Sequence, residues 1–461
     1  MRTIHVLVAS SAFSLLTAVA LPQAAWAQAA FAAERSATAG AAPRAVVVAN
    51  DPTDAFVPGF TSWFVPSLDR AVEEEIADGA TPGAWLVVGH GGDIVLTRGW
   101  GRLDWAADAA SVRSTTVWDL ASVTKVVATT LAVMTLVEEG TLDLDAPLHR
   151  YLPAWPEDGP RGRITLRLLL NHRSGLPAGA PFWRGLGASA TLDQRVRALA
   201  GVDLEAAPGR REIYSDLGPI LAGFAVEAVT GEPLDVYVER RIYRPLGLGQ
   251  TTFRPLERGV PEEAIAPTER IGTQLLRGVV HDPSARALGG VAGNAGLFAS
   301  AQDLAVLASA LLWEEPTRIV CRDVLRAFTV RDHDRRRFGT GWEMPARWAV
   351  WSEMFSPEAF GHTGFTGTSF WIDPYNDLFV ILLTNRVNPT ATNEGHLRLR
   401  RIVHDVVRRG HLAREDELRA ADWRSVDSWR GVDSCRAATG MELLRKLGHH
   451  VMLGWSVLVR E

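Results

Sequence analysis

The stretch Ala121-Ser122-Val123-Thr124-Lys125 sets a hydroxyl three residues ahead of an amine. At the start of a helix that spacing puts both side chains on one face, about a turn apart. A serine is a weak nucleophile and needs a neighbouring base to become a strong one. Lysine can serve, because burial lowers its pKa and lets it lose a proton, whereas arginine stays charged in any protein setting. The free N–H groups and positive dipole at a helix N-terminus suit developing negative charge. Composition sharpens the point: of 48 basic residues only Lys125 and Lys446 are lysine. Reading Ser122 as a plain cap and Lys125 as a surface cation therefore requires a coincidence, and no second Ser-x-x-Lys occurs in the chain.

Two more stretches follow in order. Tyr214-Ser215-Asp216 precedes a helical pattern, in a chain with five tyrosines, and His362-Thr363-Gly364 lies beside a strand pattern. Ser-x-x-Lys, then Tyr-x-Asn or a close variant, then Lys-Thr-Gly or a close variant is the ordered motif set of the serine β-lactamase and penicillin-binding-protein superfamily. Over roughly residues 60 to 410 the chain resembles that superfamily, and the tyrosine form of the second motif is similar to class C β-lactamases, D-alanyl-D-alanine peptidases and related esterases and amidases. The segments "ITLRLLLNHRSGLP" and "HDPSARALGGVAGNAGLFASAQDL" are similar to stretches common in that group.

The resemblance implies Ser122 as nucleophile, with Lys125 and Tyr214 as general base and then general acid. It implies an oxyanion hole made by the backbone N–H groups of Ser122 and Phe365, substrate contacts at Asp216, His362, Thr363 and Gly364, and no metal or organic cofactor. The strand from Phe365 to Phe370 is expected to line the substrate by edge pairing. Taken alone, Tyr214 reads as a core tyrosine; its place in the motif order reverses that. Gly364 and Gly367 read equally as turn residues or as points of close substrate approach. His172 and His281 read as structural histidines. Two residues depart from the β-lactamase pattern. Asp216 places a carboxylate where an amide is usual, and a nearby anion favours a charged Lys125, weakening it as a base and shifting the burden to Tyr214. His362 replaces a lysine, so the fixed cation that meets a β-lactam carboxylate is expected to be missing at neutral pH.

The elements that must position these residues are legible in outline. Ser67 reads as the cap of a helix ending at Gly79, followed by a β-hairpin around His90-Gly91-Gly92-Asp93. Residues 122 to 139 are apolar nearly all round, which marks a buried helix. Residues 141 to 340 alternate helical patterns with Gly/Pro loops and show few strand signals; Ser300-x-x-Asp303 within them is a helix cap, and "PFWRGLG" at 181 to 187 is a candidate cleft-edge loop. Strands return on both sides of Asp373 to Asp377, and a last helix is expected over 394 to 409 with Gly410 as its stop. Strands at both ends of the chain predict an α+β fold: an antiparallel sheet flanked by N- and C-terminal helices, split by a mostly helical lobe, with a cleft between.

The first 27 residues carry an early arginine, an apolar run and a small-x-small site at Ala25 to Ala27, the pattern of a secretory signal peptide. Residues 28 to 60 read as a flexible lead-in, 61 to 410 as the hydrolase domain, and 411 to 461 as a tail of no recognised type. No later segment reads as long enough to span a membrane. The 461 residues carry a formal charge of −5, which argues against nucleic acid as a partner. Cys321 and Cys435 form no metal-binding pattern, and their pairing is left open. The expectation is a secreted or periplasmic serine hydrolase forming an acyl-enzyme on Ser122 and cleaving amide bonds in peptidoglycan fragments or D-amino-acid peptides. An esterase or β-lactamase of the same family, and a non-catalytic penicillin or muropeptide sensor, are the alternatives.

Overall fold

The computed structural model describes residue 57 and residues 59–419, apart from 188, 314–318, 332–335 and 346–354. The signal peptide, nearly all of the lead-in, the tail beyond 419 and Cys435 lie outside the described residues. The first helix, Phe64–Ala77, buries Phe64, Val65, Leu68 and Val72 and starts a turn earlier than the cap expected at Ser67, because the apolar stripe already begins at Phe64. It leads into β1 (Gly83–His90) and β2 (Asp93–Gly101), joined across Gly91 and Gly92, which both hold the positive φ a tight hairpin needs.

After β3 (Val117–Asp119) the chain enters the apolar helix in three pieces: a 3₁₀ turn at Ala121–Val123, a π-helical turn at Lys125–Thr130 and an α-helix at Leu131–Glu138. The span Ala121–Glu138 is long and apolar enough to cross a membrane by composition, contrary to the sequence expectation, but it is largely buried among the described residues and serves as a core helix. The middle of the chain is mostly helical, as expected, yet it also supplies β4 (Thr252–Phe253), a small hairpin of β5 (Arg270–Ile271) and β6 (Gln274–Leu275), and β7 (Leu297–Ser300). β7 pairs with both β3 and β4, which fixes the start of the Ser122 turn. These strands span two to four residues, too short for period-two patterning to show. Within this lobe Ser300 caps the helix Ala301–Leu312 as read, accepting from the Asp303 N–H at 3.2 Å. Phe182 of the expected cleft-edge loop instead packs into the core against Trp183.

The last strands are β8 (Phe360–Thr363), β9 (Ser369–Asp373) and β10 (Leu378–Thr384). The main sheet runs β2-β1-β10-β9-β8, antiparallel throughout, so the two ends of the chain meet where β1 pairs β10 with Val87 opposite Ile381. Alternation along β1 serves two cores. Leu86 and Val88 pack with Leu68, Val72, Leu399 and Val403 of the terminal helices, while Trp85 and Val87 face the helical lobe. Each such side chain, fully buried, contributes about 1.5–3 kcal/mol. The last helix, Gly395–Arg419, runs through Gly410 rather than stopping there. A Cβ at Gly410 would lie 3.0 Å from the Phe64 ring, so this glycine permits close packing of the two terminal helices.

Candidate active site

Sequence dictates the local path at Ser122. β3 ends at Asp119, and Ala121 takes a left-handed φ of +46°, which turns the chain out of the sheet and into the 3₁₀ turn that carries Ser122. A non-glycine residue at positive φ is strained and persists only where its surroundings over-determine it. Here the Ala121 N–H donates to Asp119 Oδ1 at 2.9 Å.

Lys125 lies at the start of the π-helical turn, almost fully buried, and its Nζ donates to Ser122 Oγ at 2.8 Å and to the Asn294 carbonyl at 3.1 Å. Asp216 Oδ1 stands 2.6 Å from the same nitrogen. Burial alone would lower the Lys125 pKa, but the Asp216 carboxylate, and after it Tyr214, outweigh burial and hold the ammonium above its ordinary range. The expectation that burial frees Lys125 to lose its proton is thus corrected, and the effect expected of Asp216 is what wins. Tyr214 packs its ring 5.1 Å from Lys125 Nζ. Burial raises its pKa, opposed chiefly by the Lys125 charge. The phenol therefore stays protonated and the lysine charged.

His362, Thr363 and Gly364 come to the opposite wall at the end of β8. This is the edge strand of the sheet; residues 364 to 368 form a turn rather than the strand expected from Phe365 to Phe370. The reason is the Gly364 N–H bonding the Thr368 carbonyl at 2.7 Å, together with Gly367 at φ +103°. His362 is buried, and its Nδ1 bonds the Thr363 carbonyl at 2.7 Å, which makes Nδ1 the protonated nitrogen and leaves Nε2 as an acceptor. Burial, with Lys125 adding to it, holds the His362 pKa well below its ordinary value, so the ring is neutral. Thr363 is half-buried, with its hydroxyl 3.5 Å from the Glu343 carboxylate. Gly364 has no room for a side chain: a Cβ would lie 2.6 Å from the Leu120 carbonyl.

The backbone N–H groups of Ser122 and Phe365 donate to nothing among the described residues. Both residues line one cavity of about 470 Å³, shared with Tyr214, Asp216, His362 and Thr363. The catalytic, oxyanion and substrate-contact residues implied by the resemblance, except buried Lys125, thus border the same space, and Lys125 reaches it through Ser122. His172 does the structural work expected of it, accepting from the Ser215 N–H at 3.1 Å and packing 4.7 Å from the Tyr214 ring. His281 is different: it stacks on exposed Phe365 at 5.6 Å and forms part of the cavity rim.

Sequence reasoning missed the arginines of this cavity. Arg337 stands 5.9 Å from the Tyr214 ring centre and pairs with buried Glu343 at 2.6 Å, Arg386 covers Phe365 at 4.2 Å, and Arg400 Nη2 holds the Gly364 and Thr368 carbonyls. In a chain so rich in arginine no local signal distinguishes them. Chemically, the site offers a serine hydroxyl in contact with a fixed cation, a phenol, two undirected amides and guanidinium groups near the rim. That set suits acyl transfer.

The β-lactamase family profile matches residues 68–405. Among curated proteins, one from Escherichia coli K12, provisionally named a D-alanyl-D-alanine carboxypeptidase, is 34% identical over 386 residues, spanning 76% of this chain and 88% of the relative. Among solved structures, EstCE1, a hydrolase with promiscuous acyltransferase activity, is 25% identical with a TM-score of 0.60 over 75% of this chain and 98% of its own. A penicillin-binding protein homologue from Caulobacter crescentus shares the fold at 20% identity and a TM-score of 0.59, over 74% of this chain and 97% of its own.

Proposed function

The chain belongs to the β-lactamase family and is a serine hydrolase, and from that premise we propose that it is exported and cleaves amide bonds of peptidoglycan fragments or D-amino-acid peptides through an acyl-enzyme on Ser122. The observation that carries this reading is the contact chain Asp216, Lys125, Ser122, lying beside Tyr214 and two undirected amides in one cavity.

The proton inventory sets the mechanism. With Lys125 charged and Tyr214 neutral, Tyr214 acts as a relay: its oxygen takes the Ser122 proton while its own proton passes to the leaving nitrogen. The Ser122 oxygen bonds the carbonyl carbon, the carbonyl oxygen gains charge between the Ser122 and Phe365 amides, and the C–N bond then breaks. Lys125 stabilises the serine oxygen as a fixed cation. Water reverses the path in deacylation, returning a proton to Ser122. The neutral His362 gives no cation, and Arg337 and Arg386 supply the positive field that a substrate carboxylate would meet.

Intact mass spectrometry of wild type and Ser122→Ala after exposure to a simple penicillin, a D-alanyl-D-alanine peptide and a small ester tests the reading. Peptide cleavage and any adduct should require Ser122. Ester turnover without peptide cleavage would replace the amidase reading with the esterase one, and undiminished turnover by Ser122→Ala would overturn both.

A further inference from the structure

Asp119, the last residue of β3, belongs to none of the three sequence motifs. Its side chain is buried, yet it carries a carboxylate three residues from Ser122. Oδ1 accepts the Ala121 N–H at 2.9 Å, and Oδ2 accepts the His281 N–H at 2.7 Å. Its backbone carbonyl accepts Thr366 Oγ1 at 2.7 Å, and the next carbonyl, of Leu120, accepts Thr368 Oγ1 at 3.0 Å. One residue and its neighbour therefore tie three segments that are far apart in sequence. These carry Ser122, the Phe365 amide, and the His281 ring stacked on Phe365.

From this geometry we propose that Asp119 is a positioning residue for acyl transfer, setting the spacing between the Ser122 and Phe365 N–H groups and fixing the aromatic rim above them. The inference rests on those two amides acting as the oxyanion hole. The strain at Ala121 gives it physical content. A left-handed alanine relaxes unless something holds its N–H, and when it relaxes the Ser122 amide turns with it. Burying an ionised group is costly, and two amide N–H donors offset that cost only while both are in place. Asp303 offers a contrast within the same chain. It too is buried and bonds the Gln250 N–H and the Thr251 hydroxyl, but these partners lie outside the cavity, so its role is to hold the fold.

Asp119→Asn keeps the shape of the side chain and replaces one acceptor with a donor that faces an N–H. Assayed with a p-nitrophenyl ester, it should lower kcat about 10- to 100-fold with KM within about two-fold of wild type, the loss expected when oxyanion donors are displaced. The Kd for benzeneboronic acid, whose tetrahedral adduct on a serine uses the same two amides, should rise by a similar factor. Asp303→Asn, matched for loss of Tm, should leave kcat and boronate affinity within about two-fold. A folded Asp119→Asn enzyme with wild-type kcat and boronate affinity overturns the proposal, as does an equal kcat loss in Asp303→Asn. Should Asp119→Asn fail to fold, Thr366→Val against Thr366→Ser decides: valine should lose activity and serine retain it, and equal behaviour of the two overturns the idea. A wild-type protein that binds no boronate and turns over no ester contradicts the Ser122 reading itself, an outcome separate from these.

Discussion

Lys125 Nζ lies 2.6 Å from Asp216 Oδ1 and 2.8 Å from Ser122 Oγ, so a single ammonium bridges a carboxylate and the serine hydroxyl. This bridge separates the site from one in which a neutral lysine accepts the serine proton. The carboxylate keeps the lysine charged against a burial effect of opposite sign. The first consequence concerns pH.

Asp216→Asn removes the larger of the two influences that oppose burial and leaves only Tyr214 against it, so the Lys125 pKa should fall. The alkaline limb of the kcat/KM profile should then move toward neutrality relative to wild type, while Asp216→Glu should stay close to wild type. Profiles for the three proteins between pH 5 and about 10.5, near the ordinary lysine pKa, measure it. An unmoved limb in Asp216→Asn would show that Asp216 does not set the charge of Lys125.

Arg337 should matter only for charged substrates. Arg337→Met should raise KM for a D-amino-acid peptide with a free C-terminal carboxylate by about 10-fold, the scale of one charge-assisted hydrogen bond. For a neutral ester KM should stay within about two-fold. Equal effects on both substrates would assign Arg337 to packing against Tyr214 and Phe338, which it also contacts.

Several buried histidines make the fold sensitive to acid. His404 and His396 are held down to about 3, first by burial and then by the Arg400 charge. The unfolded chain binds protons at these rings below about 6.5 while the folded chain does not, so folded-state stability is fully present above about 6.5 and is lost progressively as pH falls toward 3. Tm should decline over that window. His404→Gln should flatten the slope, since one ring no longer titrates on unfolding.

Gly410 should tolerate no side chain without cost. Gly410→Ala places a Cβ 3.0 Å from Phe64 and 3.3 Å from Phe60, and should destabilise by about 1–3 kcal/mol, as overpacking in a tight core does. Chemical denaturation measures this directly. If the residue were only a helix stop, alanine would instead be neutral or stabilising.

The sequence by itself picked out Ser122, Lys125, Tyr214 and the third motif as one candidate site, and determined the split α+β plan. These rest on local spacing, or on long apolar elements whose period survives in one dimension. Ser122-x-x-Lys125 needs only a turn of helix to bring its groups together, and β1 and β10 announce themselves by length and apolar content. Short strands do not show in the sequence, because two to four residues carry no period, and Gly410 reads there as a stop because a packing glycine and a stop glycine look alike until the partner helix is known.

Only the tertiary structure decided the charge of Lys125, the turn after Gly364, the arginines of the cavity and the reach of Asp119. Each depends on groups brought together from distant parts of the chain: Asp216 lies ninety-one residues from Lys125, and Thr366 lies 247 from Asp119. Electrostatic and hydrogen-bond energies fall off with distance in space, and separation along the chain does not report that distance.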